Sequence, residues 1–430
     1  MTTLTPFSGV TGEHIARAAR TFGTPLYLYD QALIEAKCAA FLSMPHAFGL
    51  TVRYAMKANP NRSLLRLIHA QGIGIDASSL NEALRAELAG IPAGEIMLTS
   101  QEVPASTSQA ELEGLLLRGM RYNVCSLRQL ERVGPLAKKY GLDLSIRVHP
   151  GEGTGESASR NTGDKYCCFG VHLKDLPRAL ELTQSWGLRF TQVHTHIGSG
   201  GDPEVWRRNV PRQLELVEKF FPDAQSVSFG GGMREARMPD ETAEDLESLG
   251  TYAKACMEDF RRRTGRSLRM EVEPGTALVA NAGFLVLTVL DKKDTEDLHF
   301  LIADGGMDVN SRPALYGSRH PFYMVQPDGA VLSSEYGALP DHRAILVGTC
   351  CESGDAQCLD ETGHVLARPM GDAQVGDYAV VGGAGAYCAG MSLFNYNSHL
   401  QAPEVLLTPA GDLRLIRRRQ TLAQVTENEV

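Results

Sequence analysis

Residues able to do chemistry fall at a few points of this 430-residue chain. Lys57 lies in Arg53-Tyr54-Ala55-Met56-Lys57-Ala58-Asn59, just after the apolar run Leu50-Thr51-Val52. An amine where a buried strand ends either snorkels to water or, with its pKa lowered by burial, forms a Schiff base with a carbonyl. Phe229-Gly230-Gly231-Gly232 is either a tight turn or a cradle whose backbone N–H groups approach an anion closely. In Glu271-Val272-Glu273-Pro274-Gly275 the carboxylate is either a surface turn acid or the partner of a cationic nitrogen. His194-Thr195-His196-Ile197-Gly198-Ser199-Gly200 puts two histidines on one face of a strand. They suit a metal, although no third ligand lies nearby, or a ring stacked on a flat group with Ser199 and Gly200 at its phosphate. Further on, Cys350-Cys351-Glu352-Ser353-Gly354-Asp355 packs thiol and acid into a turn, and Gly382-Gly383-Ala384-Gly385-Ala386 precedes Tyr387.

These residues need elements to hold them. Asn59-Pro60-Asn61 stops the strand before Lys57 from continuing, and Ser63 to Ile68 has helical spacing. The pattern predicts strands at Thr51–Tyr54, Gly74–Asp76, Ile96–Leu98, Tyr122–Val124, Leu144–Val148, Phe190–His196, Ser226–Phe229 and Leu268–Glu273. Helices over Ser79–Ala89, Ser126–Lys139 and Leu173–Trp186 separate them. Eight strands alternating with helices match a (β/α)8 barrel, though an open doubly wound sheet alternates similarly. In a barrel, Lys57, the glycine run and Glu273 all end strands, which is where barrel enzymes place reacting groups. The expected barrel domain is 31–274. Residues 1–30 and 275–430 are expected to form a second, mostly β domain, with strands at Leu26–Tyr29, Leu278–Val279, Phe284–Leu290, His299–Ala303, Ala344–Val347 and Tyr378–Val381. Asp30 is placed to cap a helix over Gln31–Leu42.

Composition narrows the function classes. A hydrophobic share of 43% and a charged share of 22% are ordinary for a globular protein. A formal net charge of -9 leaves no basic excess for binding nucleic acid through phosphates. The run Arg261-Arg262-Arg263, beside Glu258 and Asp259, reads as a solvated helix end. Met1 to Val10 has no basic or long apolar stretch, so no signal peptide is expected, and Thr276 to Leu290 is too short to span a bilayer. Nine cysteines without a CxxC pair point to reduced thiols in the cytoplasm and no structural zinc.

The sum is a barrel with a lysine nucleophile, a phosphate cradle, a mouth carboxylate and a stacking histidine. Those are the parts that pyridoxal 5'-phosphate (PLP) requires. The motifs Tyr54-Ala55-Met56-Lys57-Ala58-Asn59, His196-Ile197-Gly198-Ser199, Gly230-Gly231-Gly232, Glu273-Pro274-Gly275, Arg312-Pro313-Ala314-Leu315-Tyr316, Cys351-Glu352-Ser353-Gly354-Asp355 and Gly385-Ala386-Tyr387 resemble those of the fold-type III PLP decarboxylases, diaminopimelate decarboxylase-like group. The likeness runs from Thr24-Pro25-Leu26-Tyr27 to Ala402-Pro403-Glu404-Val405.

That resemblance implies an alanine-racemase-like architecture and a homodimer with its active site shared across the interface. It implies Lys57 as the internal-aldimine lysine and His196 against the ring. Ser199 and Gly230 to Gly232 would lie on the phosphate, with Gly275 close by, Glu273 on the pyridine nitrogen, and Asp76, Ser79 and Glu82 near the cofactor. Tyr387 and the proton donor Cys351 would come from the neighbouring subunit, and Arg312, Tyr316, Glu352 and Tyr387 would meet substrate. The implied reaction is loss of the α-carboxylate by way of an external aldimine and quinonoid.

Three departures bear on the substrate. Thr276 stands where an arginine usually follows Glu-Pro-Gly and takes the distal carboxylate of diaminopimelate. His399-Leu400 stands where arginine and proline usually follow Asn-Ser, and Ser79-Leu80-Asn81 where glycines are common before the acid. The expected substrate is therefore a variant amino acid, such as a citrate-linked diamino acid of siderophore synthesis or a D-amino acid, with meso-diaminopimelate as the alternative. An amino-acid racemase shares the barrel and lysine but would lack the Cys-Glu-Ser-Gly-Asp motif. A non-catalytic regulator would have lost Lys57 or Cys351, and a small PLP carrier would lack the β domain.

Overall fold

The computed structural model describes residues 3–154, 161–199, 202–337, 340–360 and 362–430. The chain divides into two compact units, Met1–Lys37 with Glu235–Thr242 and Thr276–Val430, and Cys38–Arg234 with Ala243–Gly275. Among the described residues no helix is long and apolar enough to cross a membrane.

The first unit is built on β1 (Leu26–Asp30), a fully buried strand. It runs antiparallel to a long strand at Gly283–Asp294 and parallel to one at Glu404–Leu407, so sequence-distant segments meet on it. The sheet order continues through Tyr378–Val381, Phe322–Val325 and Val331–Ser334 on one side and Leu413–Arg417 on the other. Helix Gly12–Phe22 presents Ile15, Ala16 and Ala19 to a core that includes Leu28, Phe284 and Val405. Each large apolar side chain buried this way contributes about 1.5–3 kcal/mol. Asp30 accepts the N–H of Leu33 at 3.3 Å, which caps the start of helix Gln31–Leu42 as expected. Residues 235–242 belong to this unit through specific bonds. Asn281 Nδ2 reaches Glu235 Oε1 and the Ala236 carbonyl, each at 2.7 Å, and Tyr336 donates to the Arg237 carbonyl. Leu278–Val279 is not a strand; it lies in a helical turn, Thr276–Val279. Two apolar residues are too few for periodicity to tell strand from helix.

The second unit is a closed parallel barrel of β2 (Leu50–Ala55), β3 (Gly74–Ala77), β4 (Ile96–Leu98), β5 (Arg121–Val124), β6 (Leu144–Arg147), β7 (Phe190–His194), β8 (Ser226–Ser228) and β9 (Arg269–Val272). Each strand agrees with its expected position to within a few residues. Three of the helices between them start on serine or asparagine side-chain caps: Asn61 on Ser63 N–H, Ser79 on Glu82 N–H, and Ser126 on Gln129 N–H. Arg262 and Arg263 pair with Asp259 at the exposed end of helix Leu246–Thr264.

The barrel interior is polar. Arg53 of β2 donates from Nε to Glu271 of β9 at 3.1 Å and from a terminal nitrogen to the Glu95 carbonyl at 2.9 Å. Gln192 of β7 donates to the other Glu271 oxygen at 2.7 Å. The strand period of two then stacks His194 above Gln192 and Glu273 above Glu271. The lower ion pair thus locks the strands whose ends carry the reacting groups. Glu271→Leu would leave the Arg53 guanidinium buried and unpaired, a loss of about 3–5 kcal/mol. Urea unfolding should show a markedly lower midpoint for this variant, and a midpoint equal to wild type would contradict the lock.

Candidate active site

Lys57 lies two residues past the end of β2, on the helical turn Met56–Ala58. The turn is fixed on both sides. Ala55 N–H donates to the Pro274 carbonyl at 3.0 Å, tying the end of β2 to the end of β9. Tyr54 hydroxyl donates to the Asn59 carbonyl at 3.2 Å. The Lys57 side chain is exposed at the barrel mouth.

Glu273 is buried beyond β9, and both its oxygens are held. Ser228 hydroxyl donates to Oε1 at 2.7 Å, and His194 Nε2 stands 2.9 Å from Oε2. Burial works to raise this carboxyl, but the adjacent His194, with the hydrogen bonds from His194 and Ser228, outweighs it and holds the group at about 2. Asp76, at 4% exposure, goes the other way. Burial, then the charge of Glu273, pushes it well above the usual carboxylate range, and its Oδ1 has no partner among the described residues. The two carboxyls are pushed in opposite directions, Glu273 toward its charged form and Asp76 toward its neutral form.

His196 is held neutral, its pKa driven well down by burial and then by the nearby Arg147 and Lys57. Its Nδ1 accepts the Gly231 N–H at 3.0 Å, which leaves the ring proton on Nε2. The His194 and His196 rings are near-parallel, 6.4 Å apart. Both are engaged within the protein, and among the described residues no group of three His, Cys, Asp or Glu side chains is placed to hold a metal.

The glycine loop after β8 has no room for side chains. Gly230 has φ +67°, and a Cβ there would stand 2.5 Å from the Thr195 carbonyl oxygen. One on Gly231 would stand 2.6 Å from the Glu273 carbonyl oxygen. A Cβ on Gly275 would stand 3.3 and 3.4 Å from the Cβ atoms of Ala55 and Ala58. Ser199 is half-buried on the loop after β7, and Gly200 lies outside the described residues. Ser79 caps helix Leu80–Leu88, and Glu82 accepts the Ser78 N–H at 2.7 Å.

The other expected residues lie in the β unit. Arg312 is fully buried, with Nε 3.3 Å from His320 Nε2 and its guanidinium 5.9 Å from the centre of the Tyr387 ring. Tyr387 has φ +59°, uncommon for a side chain of its size. Tyr316 hydroxyl points at Met391 Sδ, 3.9 Å away. Cys351 and Glu352 are exposed, whereas burial pushes the neighbouring Cys350 thiol up to about 12. Thr276 opens the turn Thr276–Val279 and is half-buried.

Two barrel residues, Arg147 and Ser228, escaped the sequence reading, as did the role of His194 beside Glu273. Arg147 is 6% exposed, has no partner for its Nε among the described residues and lies over the Phe169 ring. Ser228 and His194 act on Glu273. Only His194, in its alternating pair with His196, gave any signal. The gathered groups suit a planar anionic ligand with a basic ring nitrogen: an exposed amine, a backbone cradle, an ionised carboxylate and an unsatisfied buried oxygen. PLP has those features, so the residues present fit it.

Comparison with known proteins agrees. The family described as "Pyridoxal-dependent decarboxylase, pyridoxal binding domain" matches residues 31–280. Diaminopimelate decarboxylase of Escherichia coli K12 is 34% identical over 98% of this chain and 97% of its own. A crystal structure of diaminopimelate decarboxylase superposes with TM-score 0.90 at 34% identity, covering 100% of this chain and 99% of that one. The Helicobacter pylori diaminopimelate decarboxylase complexed with L-lysine has TM-score 0.81 at 27% identity, over 96% of this chain and 98% of that one. With its motifs, its barrel and these relatives, the chain belongs to the fold-type III pyridoxal-phosphate-dependent amino-acid decarboxylases, in the diaminopimelate decarboxylase-like group.

Proposed function

We propose that this decarboxylase removes the α-carboxylate of an amino acid whose tail differs from that of meso-diaminopimelate. Candidates are a citrate-linked diamino acid of siderophore synthesis and a D-amino acid. The observation that carries the reading is Thr276, directly after Glu273-Pro274-Gly275. A threonine hydroxyl cannot form the bidentate, charge-assisted pair that a guanidinium makes with a carboxylate. The second reading is meso-diaminopimelate itself, in L-lysine biosynthesis. It is favoured by the relatives' names and by the L-lysine in the Helicobacter pylori structure.

When bound, PLP would supply an aldehyde and a protonated pyridine ring that draws in the electron pair left on the α-carbon as CO2 departs. Lys57 anchors it through its amine. The Gly230 to Gly232 loop, whose Gly230 and Gly231 N–H groups are taken by Ser228 and His196, would hold the phosphate at its close-approaching backbone with the Gly232 N–H, Ser199 and Gly275. Neutral His196 lies against the ring without adding charge. Glu273, held toward its charged form, would keep the pyridine nitrogen protonated, while Asp76 is pushed toward its neutral form. Cys351 delivers a proton to the carbon that has lost its carboxylate, and Arg312, Tyr316, Glu352, Tyr387 and Thr276 contact the substrate. Lys57 and Cys351 are both exposed in the single chain. That supports a homodimer in which the Cys351 turn and Tyr387 of one copy complete the barrel mouth of the other. Free thiols, with no disulfide among the described cysteines, support a cytoplasmic enzyme.

The test is CO2 release by PLP-loaded protein from meso-diaminopimelate, D- and L-lysine, D- and L-ornithine and a citrate–diaminopropionate conjugate. Faster turnover of a member other than meso-diaminopimelate is expected, and preference for meso-diaminopimelate would select the second reading. Thr276→Arg should raise kcat/KM for meso-diaminopimelate by about 10- to 100-fold, the worth of a charged hydrogen bond of ~1.5–3 kcal/mol. No gain would remove Thr276 as the determinant.

Glu273→Gln should lower kcat by about 100-fold or more. Because the folded pKa of Glu273 is depressed to about 2, its charge persists until the pH falls to that range. The deficit should therefore be constant from about pH 5 to pH 8. A deficit that vanishes at the acid end of a pH–rate profile would show that Glu273 titrates there.

A further inference from the structure

The turn that carries Cys351 is held from two sides. On the inner side, Asp355 accepts the N–H groups of Cys350 at 2.7 Å and Met307 at 2.6 Å. Its carboxylate fits there because Gly306 and Gly348 have no Cβ; one on either would collide with it. Glu352 N–H to the Cys350 carbonyl at 2.8 Å, and Asp355 N–H to the Glu352 carbonyl at 3.1 Å, close the turn.

The outer side is held by a segment to which no role has been given. Asn397 Oδ1 accepts the Cys351 N–H at 2.8 Å, and Tyr396 hydroxyl donates to Glu352 Oε2 at 3.3 Å. This segment has an uncommon backbone. Asn395, Asn397 and Ser398 have φ of 60°, 47° and 59°, the left-handed region that side-chain-bearing residues seldom occupy. Such a backbone persists where surrounding bonds over-determine it. Asn395 supplies two of them, from Nδ2 to the His399 carbonyl at 2.9 Å and to Gln420 Oε1 at 2.6 Å. The segment thus presents two side chains to the turn: Asn397, itself in the left-handed region, on the backbone of Cys351, and its neighbour Tyr396 on the carboxylate of Glu352. The Glu352 carboxyl is lowered by Ser353 and the turn's backbone first, and by Tyr396 as well.

We propose that Asn397 and Tyr396 are positioning residues for the reaction: Asn397 aims the Cys351 thiol and Tyr396 aims the Glu352 carboxylate. The inference rests on the reading of Cys351 as proton donor. In that step the S–H bond breaks, a C–H bond forms at the carbon vacated by CO2, and the thiolate later regains a proton from water. Proton transfer requires hydrogen-bond reach, and a displacement of about 1 Å can cost about 100-fold. A turn exposed to solvent and held only from within would not keep Sγ to that tolerance.

The test uses the PLP-loaded enzyme and the panel amino acid it turns over fastest. Asn397→Ala should lower kcat by about 10- to 100-fold with KM within about twofold. Asn397→Asp, whose carboxylate still accepts the Cys351 N–H, should recover most of the loss. Tyr396→Phe should act mainly on KM through Glu352. Because Asn397 acts through the thiol, the Cys351→Ala/Asn397→Ala double variant should be no slower than Cys351→Ala alone. Iodoacetamide should alkylate Cys351 at a different rate in Asn397→Ala than in wild type. If Asn397→Ala does not bind PLP, Asn397→Ser, too short to reach the N–H, replaces it. Losses that multiply in the double variant would mean a merely structural residue and overturn the proposal, as would wild-type kcat in Asn397→Ala beside an impaired Cys351→Ala. A Cys351→Ala variant with wild-type kcat would instead overturn the proton-donor reading, and the proposal with it.

Discussion

A negative charge kept inside the barrel is the constraint on which the rest of the site depends. Ionised Glu273 has little solvent, and an unsupported buried carboxylate would take up a proton. The support comes from two neighbouring strands: Ser228 on β8 binds one oxygen and His194 on β7 the other. Register makes this possible. β7 pairs His194 with Ser228, and β8 pairs Ser228 with Glu271, two residues below Glu273. A slip of one residue in either pairing would turn a supporting group to the barrel's outer face. Asp76 shows the alternative outcome. It is equally buried, has one oxygen unsatisfied, and is pushed toward its neutral form.

The same strands carry a second carboxylate one layer lower, and the contrast between the two layers is instructive. Glu271 is neutralised outright by the Arg53 guanidinium and capped by Gln192. It is a finished structural pair with nothing left to offer. Glu273 is supported by a hydroxyl and an imidazole, weaker partners that leave a cationic ring nitrogen worth binding. An arginine in the upper layer would have saturated the charge and removed its use. The barrel thus separates the ion pair that closes it from the ion that works, with a strand period of two between them.

Legibility in the sequence followed position. Lys57, the glycine run and Glu273 end strands, where polar residues and breakers interrupt apolar runs, so both barrel and mouth could be read from pattern. Ser228 and Arg147 could not. A serine or arginine inside a short strand has the same pattern whether it faces the lumen or solvent, and only the closed barrel decides. In the β unit, Phe322–Val325, Val331–Ser334, Glu404–Leu407 and Leu413–Arg417 went unread because four or five residues between turns give little periodicity. Residues 235–242 sit with the β unit through Asn281 and Tyr336, contacts far along the chain that no local signal announces.

This division of labour is compatible with the proposed change of substrate within an unchanged family chemistry. Groups that act on the α-carbon's head stand at the ends of barrel strands and are braced by neighbouring strands. Replacing one of them disturbs the register-dependent support of another. Thr276 is braced differently: it opens a four-residue helical turn just after Gly275, where the strand's hydrogen-bonding has ended. A residue there can exchange a guanidinium for a hydroxyl without altering Glu273, His194 or Ser228. Loops beyond a rigid scaffold are where recognition is rewritten at least structural cost. The departure at Thr276 therefore leaves the braced groups at the strand ends untouched, as the proposed change in the substrate's tail requires.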